Sequence, residues 1–283
     1  MLFMCRKYDL IAVFTSYLAF AFLTGCGPVG TRMKAELGDS DAQYEIGLCY
    51  LNGDGVDKDI PEGVKWVKKC ANKTNYTSHI LACKKLAQIY TQGVGVSRDY
   101  EEARFWWEKL AKKNDSEGKL MLGLFYEYGI GVDKDYRKSF SLYKSVKDHE
   151  HRSTELVVRA QSKCGYFLSM GYGAPKDSGA ARMWLEMAAK KGDYEAQFQL
   201  GKLLSSWNND ADSKALCDAY AWLDIAATSG SEEARVARDV VEQKLSASDR
   251  VLSKAKSREL YYSITKTNAV DSFDSIEVRF RTR

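Results

Sequence analysis

A short phrase recurs along this chain at a nearly constant interval, and it restricts the possible folds more than any other feature. It reads NGDGVDKD at 52–59, QGVGVSRD at 92–99 and YGIGVDKD at 128–135. A looser copy, GYGAPKD, covers 171–177. The leading glycines, Gly53, Gly93, Gly129 and Gly171, are 40, 36 and 42 residues apart. A repeat of this length is one supersecondary unit copied in tandem, since a single copy cannot bury its own apolar face.

Each copy has the same grammar. A helical stretch with a small residue and a following aromatic or aliphatic comes first, as in Ile46-Gly47-Leu48-Cys49-Tyr50 and Leu122-Gly123-Leu124-Phe125-Tyr126. The G-x-G turn follows, its glycines supplying positive φ where the chain reverses. Lys or Arg then precedes an Asp suited to cap a second helix. That helix carries a small residue and a tryptophan three positions on: Gly63/Trp66, Ala103/Trp106, Ala181/Trp184 and Ala219/Trp222. This spacing keeps both on one face. Glycine within a helix costs about 1 kcal/mol relative to alanine. Its recurrence in the first helix predicts a crossing too close for a side chain.

The matching pieces, A-x-x-x-[LI]-G-x-x-Y, G-x-G-V-x-[KR]-D and A-x-x-[WL], resemble the Sel-one-like repeat, a relative of the tetratricopeptide repeat. The resemblance covers residues 39–230 in about five units and implies an all-α fold, a right-handed α/α solenoid of helical hairpins. In the fifth unit Trp207-Asn208-Asn209-Asp210-Ala211-Asp212 replaces the turn, either as a functional loop or by divergence. Residues 231–262 read as two helices that cap the last repeat, and 263–283 as a loose tail in which Ile276, Val278 and Phe280 alternate like a short strand.

The first residues are of a different kind. Arg6 and Lys7 precede an uncharged apolar run from Leu10 to Phe22, too short for a spanning helix. It ends in Leu23-Thr24-Gly25-Cys26, which resembles the bacterial lipoprotein signal. That resemblance implies cleavage after 25, acylation of Cys26, a linker over 26–38 and a chain anchored facing the periplasm. The alternative is an ordinary cleaved signal beside a chance cysteine. Gly27, in place of an inner-membrane-retaining aspartate, favours the outer membrane.

Composition excludes some partners and motifs exclude some chemistries. A net charge of +4 without a concentrated basic stripe argues against nucleic acid. There is no G-x-S-x-G, no H-E-x-x-H and no phosphate-binding glycine loop, and the G-x-G turns join helix to helix rather than strand to helix. No enzyme, cofactor, small-molecule substrate or metal is expected. His149-Glu150-His151 lies between units and lacks further ligands at site spacing. Cys49, Cys164 and Cys217 fall where packing residues belong. Cys70 and Cys83 occupy the places where cysteine-rich members of the repeat family staple adjacent hairpins, and the resemblance implies a disulfide there, across a longer connector than theirs.

In tetratricopeptide-like arrays the first helices line the concave face. Counting from the small residue of each unit, the candidate protein-binding positions are Tyr44, Leu48, Leu124, Tyr128, Tyr166, Met170, Phe198 and Lys202, with Lys84, Leu120 and Ser162 at equivalent places. Such side chains either supply interface hot spots or pack against neighbouring helices. The family resemblance implies a lipid-anchored module that binds a protein partner. Its sharpest form is an immunity protein against a type VI secretion phospholipase effector, as some lipoproteins with this repeat are. The alternative is an envelope scaffold or host-interaction factor with no toxin partner.

Overall fold

The computed structural model describes residues 28–73, 77–146, 155–207 and 213–268. These residues form helices joined by turns, and the chain divides after Asp133 into two compact units.

The first unit holds α1 (Pro28–Glu36), α2 (Ser40–Asn52), α3 (Ile60–Ala71), α4 (Thr77–Gln92), α5 (Tyr100–Lys112) and α6 (Ser116–Tyr128). The second holds α7 (Tyr136–Lys144), α8 (Glu155–Met170), α9 (Ser178–Ala189), α10 (Tyr194–Trp207), α11 (Ser213–Thr228), α12 (Glu232–Lys244) and α13 (Ala247–Asn268). Within each unit successive helices pack pairwise: α2 on α3, α3 on α4, α4 on α5 and α5 on α6, then α8 on α9, α9 on α10 and α10 on α11. This is the α/α-solenoid class that the repeats imply.

Each hinge ends one helix and starts the next by fixed chemistry. Gly53 adopts φ 87° and donates its N–H to Cys49 O at 2.8 Å. Gly129, at φ 72°, does the same toward Phe125. The aspartate closing each phrase caps the second helix: Asp59, Asp99, Asp135 and Asp177 accept from Glu62, Glu102, Lys138 and Ala180 N–H, each at 2.9 Å. Such caps contribute about 1 kcal/mol each. Asp59, Asp99 and Asp177 also donate their own N–H back to Tyr50, Tyr90 and Leu168 O, which folds the hinge onto the helix it leaves.

The second glycine of the phrase has a role beyond positive φ. A Cβ at Gly131 would lie 2.7 Å from Tyr100 Cβ, and one at Gly173 would lie 2.2 Å from Tyr136 O. Gly95 stands in the same relation to Ile60. Each touches the first residue of the second helix in the preceding repeat, so the hinge is also where one hairpin meets the one before it.

The helix crossings follow the predicted small residues. A Cβ at Gly47 would meet Val67 Cγ2 at 2.6 Å, and one at Gly63 would meet Gly47 O at 2.9 Å. Trp66, Trp106 and Trp222 are buried, as are Trp107, Phe125 and Phe167. At about 25 cal/mol per Å² of apolar surface, such rings dominate what each interface contributes.

Two boundaries differ from the sequence expectation. The segment 26–38, expected as a linker, contains α1, whose Ala35 is buried and whose Ala35 carbonyl accepts from Gln43 Nε2 at 3.0 Å. The last helix continues to Asn268 rather than ending at 262, with Ile264 buried. Beside it, α12 and α13 both pack on α11, and Ser257 Oγ donates to Asp224 Oδ2 at 2.7 Å. The leader with Cys26, the His149–His151 motif, the 208–212 loop and the 269–283 tail lie outside the described residues.

Candidate protein-interaction face

Within each unit, first helices touch one another directly, so their outward sides make a shared face. In the first unit α2 contacts α4, and Lys84 Nζ of α4 reaches Asp115 Oδ2 at 2.9 Å and Glu117 Oε2 at 3.0 Å at the start of α6. Lys84 is half-buried; desolvation opposes its charge, but bonds to the two carboxylates prevail and raise its pKa. In the second unit α8 contacts α10, and Ser162 Oγ donates to Asp193 Oδ1 at 2.9 Å. Asp193 also caps α10, accepting from Ala196 N–H at 2.7 Å. Burial raises its carboxyl pKa against the pull of these bonds.

The predicted positions fall into three groups. Leu120 and Ser162 are buried and belong to the packing between helices. Tyr44, Leu48, Leu124, Tyr166 and Phe198 are half-buried, with one side committed to neighbours. Tyr128 and Met170 are each 51% exposed, and Lys202 is exposed. Desolvation raises the Tyr44 phenol pKa, as expected for a ring partly withdrawn from water.

In the second unit the structure assembles an aromatic cluster that the sequence only partly signalled. Phe167 is fully buried at its centre, with Tyr143 5.5 Å and Tyr136 5.9 Å away edge-on. Tyr136 stacks on Tyr172 at 4.7 Å, and Tyr166 meets Tyr172 at 6.0 Å. Tyr172 fills the middle place of a G-x-G hinge, where sequence reading saw only a turn residue. Farther along, Lys202 Nζ lies 5.1 Å from the Phe198 ring centroid.

The cysteines overturn one expectation. Cys49, Cys70, Cys83, Cys164 and Cys217 are all free, so the disulfide between Cys70 and Cys83 is absent. Cys83 Sγ instead lies 4.0 Å from Ala71 O and 3.8 and 3.9 Å from the two His79 ring nitrogens. Both thiols are buried, and desolvation pushes each pKa up to about 11. The Cys164 thiol is pushed up to about 12 for the same reason. Thiols so raised hold almost no thiolate at neutral pH and behave as packing groups. Among the described residues no cluster of His, Cys, Asp and Glu is arranged to hold a metal ion, and no helix is long and apolar enough to cross a membrane.

A family model for the Sel1 repeat matches residues 40–75, 80–115, 116–145 and 158–193. The fifth hairpin, α10 with α11, falls beyond those matches. A Sel1 repeat protein from Oxalobacter formigenes has a similar solved structure, with TM-score 0.60 and 26% identity over 81% of this chain and 88% of that one. Two fungal proteins are also similar. Chitin synthase regulatory factor 3 of Schizosaccharomyces pombe is 29% identical over 221 residues, 76% of this chain and 23% of its own length. Chitin synthase regulator SKT5 of Malassezia restricta is 28% identical over 191 residues, 54% of this chain and 13% of its own. The chain thus spans under a quarter of either curated relative.

Proposed function

From the premise that this chain is a Sel1-repeat protein, a fold that serves as a protein-interaction module, we propose that it is a lipid-anchored binding protein of the bacterial envelope. Cys26 carries the acyl chains, the repeats face the periplasm, and the first-helix face grips a protein partner. The observation that carries the reading is the exposure of large apolar side chains on the first helices of each unit, Tyr128 in the first and Met170 in the second. Aromatic and methionine side chains left open on a folded surface are the material of interface hot spots. The names of the fungal relatives, regulators of another enzyme, support a chain that acts by binding rather than by catalysis.

The finer reading is an immunity protein that neutralises a type VI secretion phospholipase effector. A lipoprotein signal, a repeat array and the lack of a catalytic motif in the sequence support it. The test is binding between this protein and the product of an adjacent lipase-like gene. Tight binding is expected, weakened roughly tenfold or more by Tyr128→Ala and by Phe198→Ala. No measurable affinity for that product would end the immunity reading. Mass spectrometry of the mature N-terminus checks the anchor: an acylated Cys26 is expected, and an unmodified, retained leader would overturn it.

A further inference from the structure

The second unit contains an open cavity of about 430 Å³ beside the predicted positions Phe198 and Lys202. Its walls are Tyr194, Glu195 and Phe198 from the start of α10, and Ser229, Gly230, Ser231 and Glu233 from the turn into α12. We propose that this cavity takes the arginine or lysine side chain of a protein partner. The inference rests on the partner-binding reading and specifies one subsite of it.

Three observations point to a cation with an apolar stem. First, two rings are available: Tyr194 is 57% exposed and Phe198 is half-buried. The Phe198 ring already holds a cation within reach, the Lys202 ammonium at 5.1 Å. A ring that attracts one ammonium through its negative face attracts a guest's by the same means. Second, Glu195 and Glu233 both line the cavity, and neither has an ion-pair partner among the described residues. Glu195 Oε1 accepts from the neutral Gln199 Nε2, at 2.8 Å. The adjacent Glu232 is already neutralised by Arg235, at 2.5 Å. Third, the chain turn supplies Ser229 and Gly230, both exposed, where a guest backbone can approach without meeting a large side chain.

The competing charge is the positive end of two helices. Both α10 and α12 begin at this cavity, and a helix N-terminus carries roughly half a positive charge. Asp193 and Ser231 cap these ends, the latter accepting from Ala234 N–H at 3.2 Å. Two half charges are met by Asp193 and by the full charges of Glu195 and Glu233. Lys202 offsets one carboxylate, and the balance stays negative. Size also fits: the volume admits one long side chain with its flanking backbone. An open site with a polar rim suits a side chain offered by another surface better than an enclosed small molecule.

The test is a titration of the isotope-labelled full chain, in mild detergent, with acetyl-Gly-Arg-Gly-amide, followed by amide shifts of Gly230 and Ser231. Lysine, leucine and glutamate tripeptides of the same form serve as comparisons. Saturable shifts with arginine and lysine are expected, with the leucine and glutamate peptides binding at least fivefold more weakly. The double variant Glu195→Gln/Glu233→Gln is expected to weaken the arginine peptide about tenfold, while amides elsewhere in the spectrum stay in place and report an intact fold. Equal binding of the leucine or glutamate peptide, shifts that do not saturate, or indifference to the double variant would each overturn the proposal. The probe needs no cognate partner, so the titration can fail while the adjacent gene product still binds, and it can succeed where that product does not.

Discussion

The hairpin of α8 and α9 has a G-x-G hinge, and the hairpin of α10 and α11 does not, yet their crossings are built alike. A Cβ at Gly165 would lie 2.5 Å from Leu185 Cγ, and one at Gly201 would lie 2.5 Å from Leu223 Cγ. What the second hairpin lacks in its sequence is a glycine at the place of Gly173, whose missing Cβ would strike the Tyr136 carbonyl of α7. The comparison separates two tasks that the repeat phrase combines. The glycine in the first helix sets how two helices of one hairpin cross. The second hinge glycine sets how a hairpin docks on its predecessor.

This division can be broken at either point. The largest effect is expected at Gly173→Ala. The residue sits at φ 72° and faces backbone that cannot rotate away. Left-handed strain and overlap together should cost about 2 to 4 kcal/mol, read as a lowered urea midpoint. A change under about 1 kcal/mol would show that the hinge yields and that docking does not depend on it. Next comes Gly201→Ala, which tests the crossing where the sequence has no G-x-G phrase. Overpacking against Leu223 is partly offset by the helix-propensity gain, leaving a loss of about 1 to 2 kcal/mol. Paired with Leu223→Val the loss should be smaller than the sum of the two single changes, since the overlap is shared. Strict additivity would place the strain elsewhere.

The smallest effect concerns caps, and its sign distinguishes them. Asp135, a hinge cap, has its pKa lowered, first by the Lys138 backbone N–H. Its contribution is present above the unfolded carboxylate value and fades as pH falls through the folded one. Asp193, the half-buried cap between α8 and α10, has its pKa raised by desolvation. Its contribution is complete below the unfolded value and is lost as pH rises through the folded value. Asp193→Asn keeps a capping oxygen and removes the charge. The melting temperature of the variant relative to the parent should therefore be more favourable at pH 7 than at pH 4. For Asp135→Asn the trend should reverse. Parallel pH profiles for the two variants would contradict the contrast.

Much of this architecture is written in local code, which is why it could be read from residues alone. Helix periodicity, the capping aspartates and the recurring glycines act over a few positions, and each produced the element it forecast. The hairpins, their order and the all-helical class follow from them. The short α1 escaped because Pro28–Glu36 carries weak patterning, and only burial of Ala35 against α2 makes it part of the fold. On the candidate face, counting from Gly47, Gly123, Gly165 and Gly201 gave positions that range from buried to exposed. It could not say that Leu120 and Ser162 turn inward while Tyr128 stays open, because that depends on what the next helix covers.

Sequence by itself determined the repeated unit, since each copy carries its own start, stop and crossing signals within about forty residues. Tertiary structure alone decided the state of Cys70 and Cys83 as free buried thiols, the gathering of Tyr136, Tyr166 and Tyr172 around Phe167, and the cavity between α10 and the turn into α12. The physical reason is range. Hydrogen-bonded caps and backbone strain are settled among neighbours in the chain, whereas burial, ring stacking and unpaired charge are settled by which distant surfaces meet.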